Sequence, residues 1–201
     1  MVMRMNLLVF NHRRAAARVR KQILGFTLLE VLTVITIVAV LMAVGVPSYQ
    51  YVTSANRISG EVNGLLGDMQ YARSEAIKEG QTVTVCSSTN STSTAPTCSA
   101  SNAWQNGWIV FSDVNGSGAV DSPADTILRV GRAFPLGDTF NANNNMQFVT
   151  FNREGFALNL KNPPITVTLH AAVPTVGSTR CLQITIVGQL TTETAGTGAC
   201  T

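Results

Sequence analysis

Phe26 to Val46, FTLLEVLTVITIVAVLMAVGV, is a run of 21 residues whose single charge is Glu30. No other segment narrows so far what the chain can become. As a helix rising about 1.5 Å per residue, the run reaches about 31 Å, the thickness of a bilayer's hydrocarbon core. Arg4, Arg13, Arg14, Arg18, Arg20 and Lys21 precede it with no acid among them. Only Arg57 lies within about fifteen residues of its far end, so the positive-inside bias keeps residues 1–25 in the cytoplasm and sends the rest outward. A cleavable secretory signal also has a basic start and an apolar middle. Its apolar region is usually about 7–15 residues and carries no carboxylate, which this run exceeds on both counts.

The charge distribution excludes one broad class. The formal net charge of +3 comes from the six leader cations, which leave 8 Lys+Arg against 11 Asp+Glu beyond residue 25. A mildly acidic domain is a poor scaffold for a basic nucleic-acid surface. Charged residues are only 12% of the chain, about half the usual share for a soluble protein.

The 4 cysteines, Cys86, Cys98, Cys181 and Cys200, all follow the apolar run, as export to an oxidising compartment requires. Four cysteines allow three pairings, and sequence does not choose among them. Neighbour pairing, Cys86 with Cys98 and Cys181 with Cys200, closes the shortest loops, each of a length for which chain entropy gives about 3 kcal/mol. A zinc site is disfavoured, because no Cys-x2–4-Cys pair exists and His170 is the only histidine beyond the apolar run.

Beyond Pro47, which removes a backbone donor and is expected to kink the helix, the helical pattern continues. Ala55, Ile58, Val62, Leu65, Leu66, Met69, Ala72, Ala76 and Ile77 recur at spacings of three and four, one arc of an amphipathic helix. Gly80 stands where a C-terminal cap belongs. Gly60, Gly64 and Gly67 lie opposite that arc, either as tolerated surface glycines or as a smooth stripe for a neighbouring subunit. From residue 82 the period becomes two. Thr82–Cys86, Trp108–Phe111, Ile127–Val130, Phe148–Phe151, Phe156–Leu160, Ile165–His170 and Leu182–Val187 read as short strands separated by Gly, Pro, Asn and Ser clusters. Ser87–Thr97 and the tail Thr191–Thr201 read as solvated loops. The expected fold is α+β, a long N-terminal helix packed on an antiparallel, sandwich-like β-domain. The expected divisions are a leader (1–25), a transmembrane helix (26–46), its amphipathic continuation (47–80) and a β-rich domain (81–201).

The junction Lys21-Gln22-Ile23-Leu24-Gly25-Phe26-Thr27-Leu28-Leu29-Glu30 resembles the cleavage site of type IV pilin and pseudopilin precursors. The resemblance implies a membrane peptidase that cuts after Gly25 and methylates the amine of Phe26. It also implies that Glu30 meets that amine on a preceding subunit, and that Pro47 is the family's kinking proline. Independent chemistry agrees. Glycine lets an extended backbone lie close to an enzyme, and a carboxylate in a membrane helix is costly unless it finds a cation or a function. A Glu30 that merely snorkels to the interface is the plainer alternative.

Further matches narrow the branch. Leu66-Gly67-Asp68-Met69-Gln70-Tyr71-Ala72-Arg73-Ser74-Glu75-Ala76-Ile77, Trp104-Gln105-Asn106-Gly107-Trp108-Ile109-Val110-Phe111-Ser112-Asp113, Phe151-Asn152-Arg153-Glu154-Gly155 and Arg180-Cys181-Leu182 resemble the GspH/FimT group of minor pilins. That resemblance implies a structural subunit at the tip or initiation complex of a type IV pilus or a type II secretion pseudopilus. Its implied partners are the peptidase/methyltransferase, other pilins or pseudopilins and the inner membrane, with the β-domain in the periplasm and no cofactor or metal. The rival is a DNA-capturing minor pilin used in natural transformation. Some members carry a Gly-Arg-x-Arg motif near the C-terminus, where this chain has Gly188-Gln189-Leu190-Thr191. Asp113-Val114-Asn115-Gly116-Ser117-Gly118 imitates the start of a calcium loop, but its twelfth position is Ala124, so a hairpin turn is the better reading. No nucleophile motif surrounds His170 and no phosphate-binding glycine loop is present, so an enzyme is not expected.

Overall fold

The computed structural model describes residues 25–134, 137–161, 163–171, 179–197 and 200. The expected leader therefore falls outside it, apart from Gly25. Helix α1 spans Leu28–Glu79 with Pro47 inside it. Among the described residues nine strands follow: β1 Val83–Ser87, β2 Trp108–Ser112, β3 Thr126–Gly131, β4 Thr139–Ala142, β5 Phe148–Phe151, β6 Ala157–Leu158, β7 Ile165–His170, β8 Arg180–Ile184 and β9 Leu190–Thr194. Short 3-10 turns occupy Trp104–Asn106 and Asn143–Asn145. The chain divides into two compact units between Ala43 and Val44.

In the first unit the apolar side chains of the described residues are not buried by other described residues. Leu32, Ile35, Val38 and Leu41 are all exposed, and the most apolar window has a mean hydropathy of 2.5 with none of it buried. A face-independent apolar helix is the pattern of a membrane segment.

In the second unit, Ser54, Ile58, Val62, Leu65, Met69, Ala72 and Ala76 of α1 are buried. They complete one hydrophobic core with Val83, Val85, Val110 and Phe151 of one sheet and Ile165, Val167, Leu169 and Leu182 of the other. All strand pairs are antiparallel, in the orders β3-β2-β1-β5-β6 and β4-β7-β8-β9. An aromatic seam ties the sheets. Phe134 meets the edge of Trp108 at 6.0 Å and stacks on Phe140 of β4 at 5.7 Å. On the opposite face of the five-stranded sheet, Cys86, Ile109 and Phe111 form a second, smaller core under Cys98, Val120, Ile127 and Phe148.

The antiparallel α+β reading stands, with local corrections, among them the expected strand Phe156–Leu160, which shortens to Ala157–Leu158. Strand β4 had no counterpart in the sequence reading because Thr-Phe-Asn-Ala offers one large apolar residue among asparagines. Pairing with β7 and burial of Phe140 make it a strand. The tail is not all loop, since β9 pairs with β8 through Leu190–Thr194. Its β-branched threonines suit a half-exposed strand whose polar residues face water. The stretch expected as Leu182–Val187 begins and ends earlier, and Ile186 and Val187 instead sit exposed in the β8–β9 turn. Ile77 also leaves the expected buried arc and is 51% exposed.

Candidate functional site

The N-terminal segment is built around Thr27. Its hydroxyl accepts the Glu30 amide at 3.2 Å, and its carbonyl accepts the Val31 amide at 3.2 Å, so Thr27 caps α1. Thr27-x-x-Glu30 is the spacing of a capping box, a signal masked by reading the run only as a membrane span. Glu30 therefore occupies the first turn, where the helix dipole favours a negative charge. Gly25 lies before the helix in open space; a Cβ there would meet nothing within 4 Å. Phe26 is 81% exposed. Among the described residues nothing demands glycine at position 25.

Gly60, Gly64 and Gly67 are likewise open on α1, with nothing within 4 Å of a built Cβ. Helix-interior glycines each cost about 1 kcal/mol relative to alanine.

The block Leu66 to Ile77 fastens the helix to the sheets. Met69, Ala72 and Ala76 enter the core. Asp68 accepts the Trp108 indole N–H at 2.8 Å on one carboxylate oxygen and Arg129 at 3.2 Å on the other. Arg129 also lies 3.7 Å above the Tyr71 ring, a cation–π contact that holds edge strand β3 to the helix. Arg73 reaches between two turns and donates to the Val187 carbonyl at 3.2 Å. Those turns meet there: a Cβ on Gly188, whose φ is +72, would stand 2.1 Å from the Gly155 carbonyl oxygen.

Nearer the membrane end, Arg57 grips Asp138 with Nε at 2.7 Å and Nη2 at 2.9 Å. Asp138 is buried, and Glu61 lies one helical turn beyond Arg57, with its Oε1 4.0 Å from the Arg57 Nε. Burial and the neighbouring Asp138 carboxylate raise the Glu61 pKa from 4.5 to about 7, against the pull of Arg57.

Two disulfides join cysteines adjacent in the chain order. Cys86–Cys98 and Cys181–Cys200 both have Cα atoms 5.6 Å apart. The first fastens the Ser/Thr-rich loop over the outer core, and the second pins the tail beside β9. Asp113, the first residue of the calcium-like stretch, is fully buried and accepts from the Thr84 hydroxyl at 2.7 Å and the Ser117 and Gly118 amides at 3.0 and 2.9 Å. Its oxygens are spent on the turn. No cluster of three or more metal-ligating side chains occurs among the described residues. His170 contacts Thr179 at 3.2 Å, and Gly188–Thr191 form part of the β8–β9 hairpin.

A membrane-length apolar helix that continues into a β-domain and completes its core defines a membrane-anchored, pilin-like structural subunit. The family model for type II transport protein GspH matches residues 61–189, and that for the prokaryotic N-terminal methylation motif matches residues 20–46. The chain belongs to the GspH family, whose members are structural subunits and not enzymes. Among solved structures, the type IV minor pilin FimU of Pseudomonas aeruginosa shares the fold. One crystal form is 21% identical with a TM-score of 0.53 and covers 70% of this chain and 91% of its own. A second, also 21% identical, has a TM-score of 0.50 and covers 67% and 91%. Comparison with curated proteins finds no match.

Proposed function

We propose that this subunit is made as a precursor, cut after Gly25, methylated at Phe26, and assembled at the tip or initiation complex of a type IV pilus or a type II secretion pseudopilus. The methylation-motif match across residues 20–46 is the observation that carries the reading. In this reading residues 1–25 stay in the cytoplasm, 26–46 cross the inner membrane with a kink at Pro47, and residues 81–201 enter the periplasm. The open space around Gly25 among the described residues supports a demand for glycine from the peptidase's approach to the backbone. Cleavage creates an ammonium at Phe26, and Glu30 is the carboxylate placed to meet such an amine on a neighbouring subunit within a low-dielectric bilayer.

DNA capture is the weaker role, because the domain's acid excess leaves few cations to neutralise phosphates. Mass spectrometry of assembled protein tests the main reading. N-methylated Phe26 is expected, Gly25→Val should block cleavage, and an N-terminus still at Met1 in filaments overturns it. A mobility shift at two salt concentrations tests the other, and tight, salt-sensitive binding by residues 50–201 would favour DNA capture.

A further inference from the structure

A cavity of about 490 Å³ opens between the 3-10 turn Asn143–Asn145 and the stretch Asn159–Lys161 that follows β6. That volume falls in the range of small-ligand sites, about 300–1,000 Å³. Its walls are braced by two asparagines. Asn143 accepts the Thr166 amide at 3.1 Å, and Asn144 donates to the Lys161 carbonyl at 3.1 Å. The remaining polar side chains that line it, Asn145, Gln147, Asn159 and Lys161, make no hydrogen bond or ion pair among the described residues. Asn144, Asn145 and Asn159 hold φ of +53, +53 and +60, in the left-handed region. Asparagine tolerates that region better than other side-chain-bearing residues, and such conformations gather at ligand sites. Phe148 and Leu160 supply an apolar wall, and no acid lines the cavity.

This combination has a chemical address. An amide presents both a donor and an acceptor, the same pair that a sugar hydroxyl or an acetamido group presents in return. An ammonium presents donors only, and so selects a carboxylate. Apolar wall atoms suit the C–H face of a pyranose ring. A bare phosphate or nucleotide would be served poorly by a single lysine among neutral amides. We propose that this cavity binds an acidic saccharide, a glycan segment carrying N-acetyl groups and carboxylates. Lys161 would set the preference for acid, and Asn145 and Asn159 would read hydroxyl and acetamido groups.

The test uses the full chain in detergent micelles and ligand-observed saturation-transfer NMR with three probes. These are a hyaluronan tetrasaccharide (N-acetyl groups and carboxylates), chitotetraose (N-acetyl groups only) and maltotetraose (neither). Hyaluronan should bind about fivefold tighter than chitotetraose, the worth of one partly screened charged hydrogen bond, and maltotetraose should bind weakest. Lys161→Gln should remove the hyaluronan advantage and leave chitotetraose unchanged. Asn145→Gly with Asn159→Gly, which keeps the left-handed backbone, should weaken both N-acetylated probes about fivefold or more. All three positions are exposed, so melting temperature should not move. No saturation by any probe at about 10 mM, equal affinity for all three, or an unaltered preference in Lys161→Gln each overturns the proposal.

Discussion

Glu61→Gln is expected to stabilise the β-domain above neutrality and to leave it unchanged in acid. Glu61 has a pKa raised from 4.5 to about 7, first by burial and then by the Asp138 carboxylate, with Arg57 opposing. Below about 4.5 both folded and unfolded chains hold the proton, and the group has no pH-dependent effect. As pH rises from there the unfolded chain releases its proton while the folded one retains it, so stability falls until the folded group also titrates near 7. Above that the penalty is constant. At full strength a displacement from 4.5 to about 7 is about 3.4 kcal/mol. The side chain keeps 12% exposure, and its carboxyl can turn toward water, so about 1–2 kcal/mol is the expected size. Glutamine keeps the shape and donates a hydrogen bond without ever ionising. Urea titrations of residues 50–201, wild type and variant, at pH 4.5, 6 and 8 read the difference directly. The two curves should nearly coincide at pH 4.5 and separate at pH 8, where the variant's midpoint should lie higher by the urea equivalent of about 1–2 kcal/mol. A constant gap at every pH would mean that the substitution acts through packing, and the ionisation argument would fall.

Gly188→Ala should cost about 3 kcal/mol or more, because the new Cβ combines a left-handed backbone with a 2.1 Å approach to the Gly155 oxygen; thermal melting would reveal it. Trp108→Phe removes the 2.8 Å bond to Asp68 and should lower stability by about 1–2 kcal/mol, an effect that should largely vanish in an Asp68→Ala background, which lacks the acceptor. Replacing Cys181 and Cys200 by serine opens a loop of sequence separation 19 and should cost about 3 kcal/mol, measured under non-reducing conditions. Glu30→Ala should insert and be cleaved normally, easing bilayer residence by about 2–3 kcal/mol, yet co-purify poorly with other pilins. Incorporation at the wild-type level would leave Glu30 as a residue that only snorkels.

Periodicity made the helix and most strands legible. Ile58, Val62, Leu65, Met69, Ala72 and Ala76 are spaced by the geometry of the helix that buries them, and the valines and phenylalanines of β1, β2 and β5 by the pleat. The strands that stayed hidden owe their existence to partners far along the chain. Thr139–Ala142 and Leu190–Thr194 have little apolar content of their own, and each is a sheet edge that needs only one neighbour. The candidate N-terminal site was legible because its chemistry is contiguous, from Gly25 through Glu30. The Arg57–Asp138 pair was not, since 81 residues separate its members and neither side chain announces the other. The amide-lined cavity was hidden for the same reason, its two walls being assembled from separate loops.

The outer face of the five-stranded sheet carries a consequence for when this domain can finish folding. Ile109 and Phe111 stand fully buried there beside Cys86, under a roof that Cys98 helps to form. Cys98 belongs to a stretch with no charged residue between Thr82 and Ser112, seated by the sulfur link, by hydroxyl bonds and by the backbone bonds of Ser88 to Gly107 and Ser99 to Ser87. In a reducing compartment the link is absent, and the sheet would pair with Val120, Ile127 and Phe148 as the remaining cover of that face. Passage into an oxidising space would then complete a surface that the sheet alone cannot supply. On the proposed export, oxidation would then be the step that sets the last piece of that cover in place.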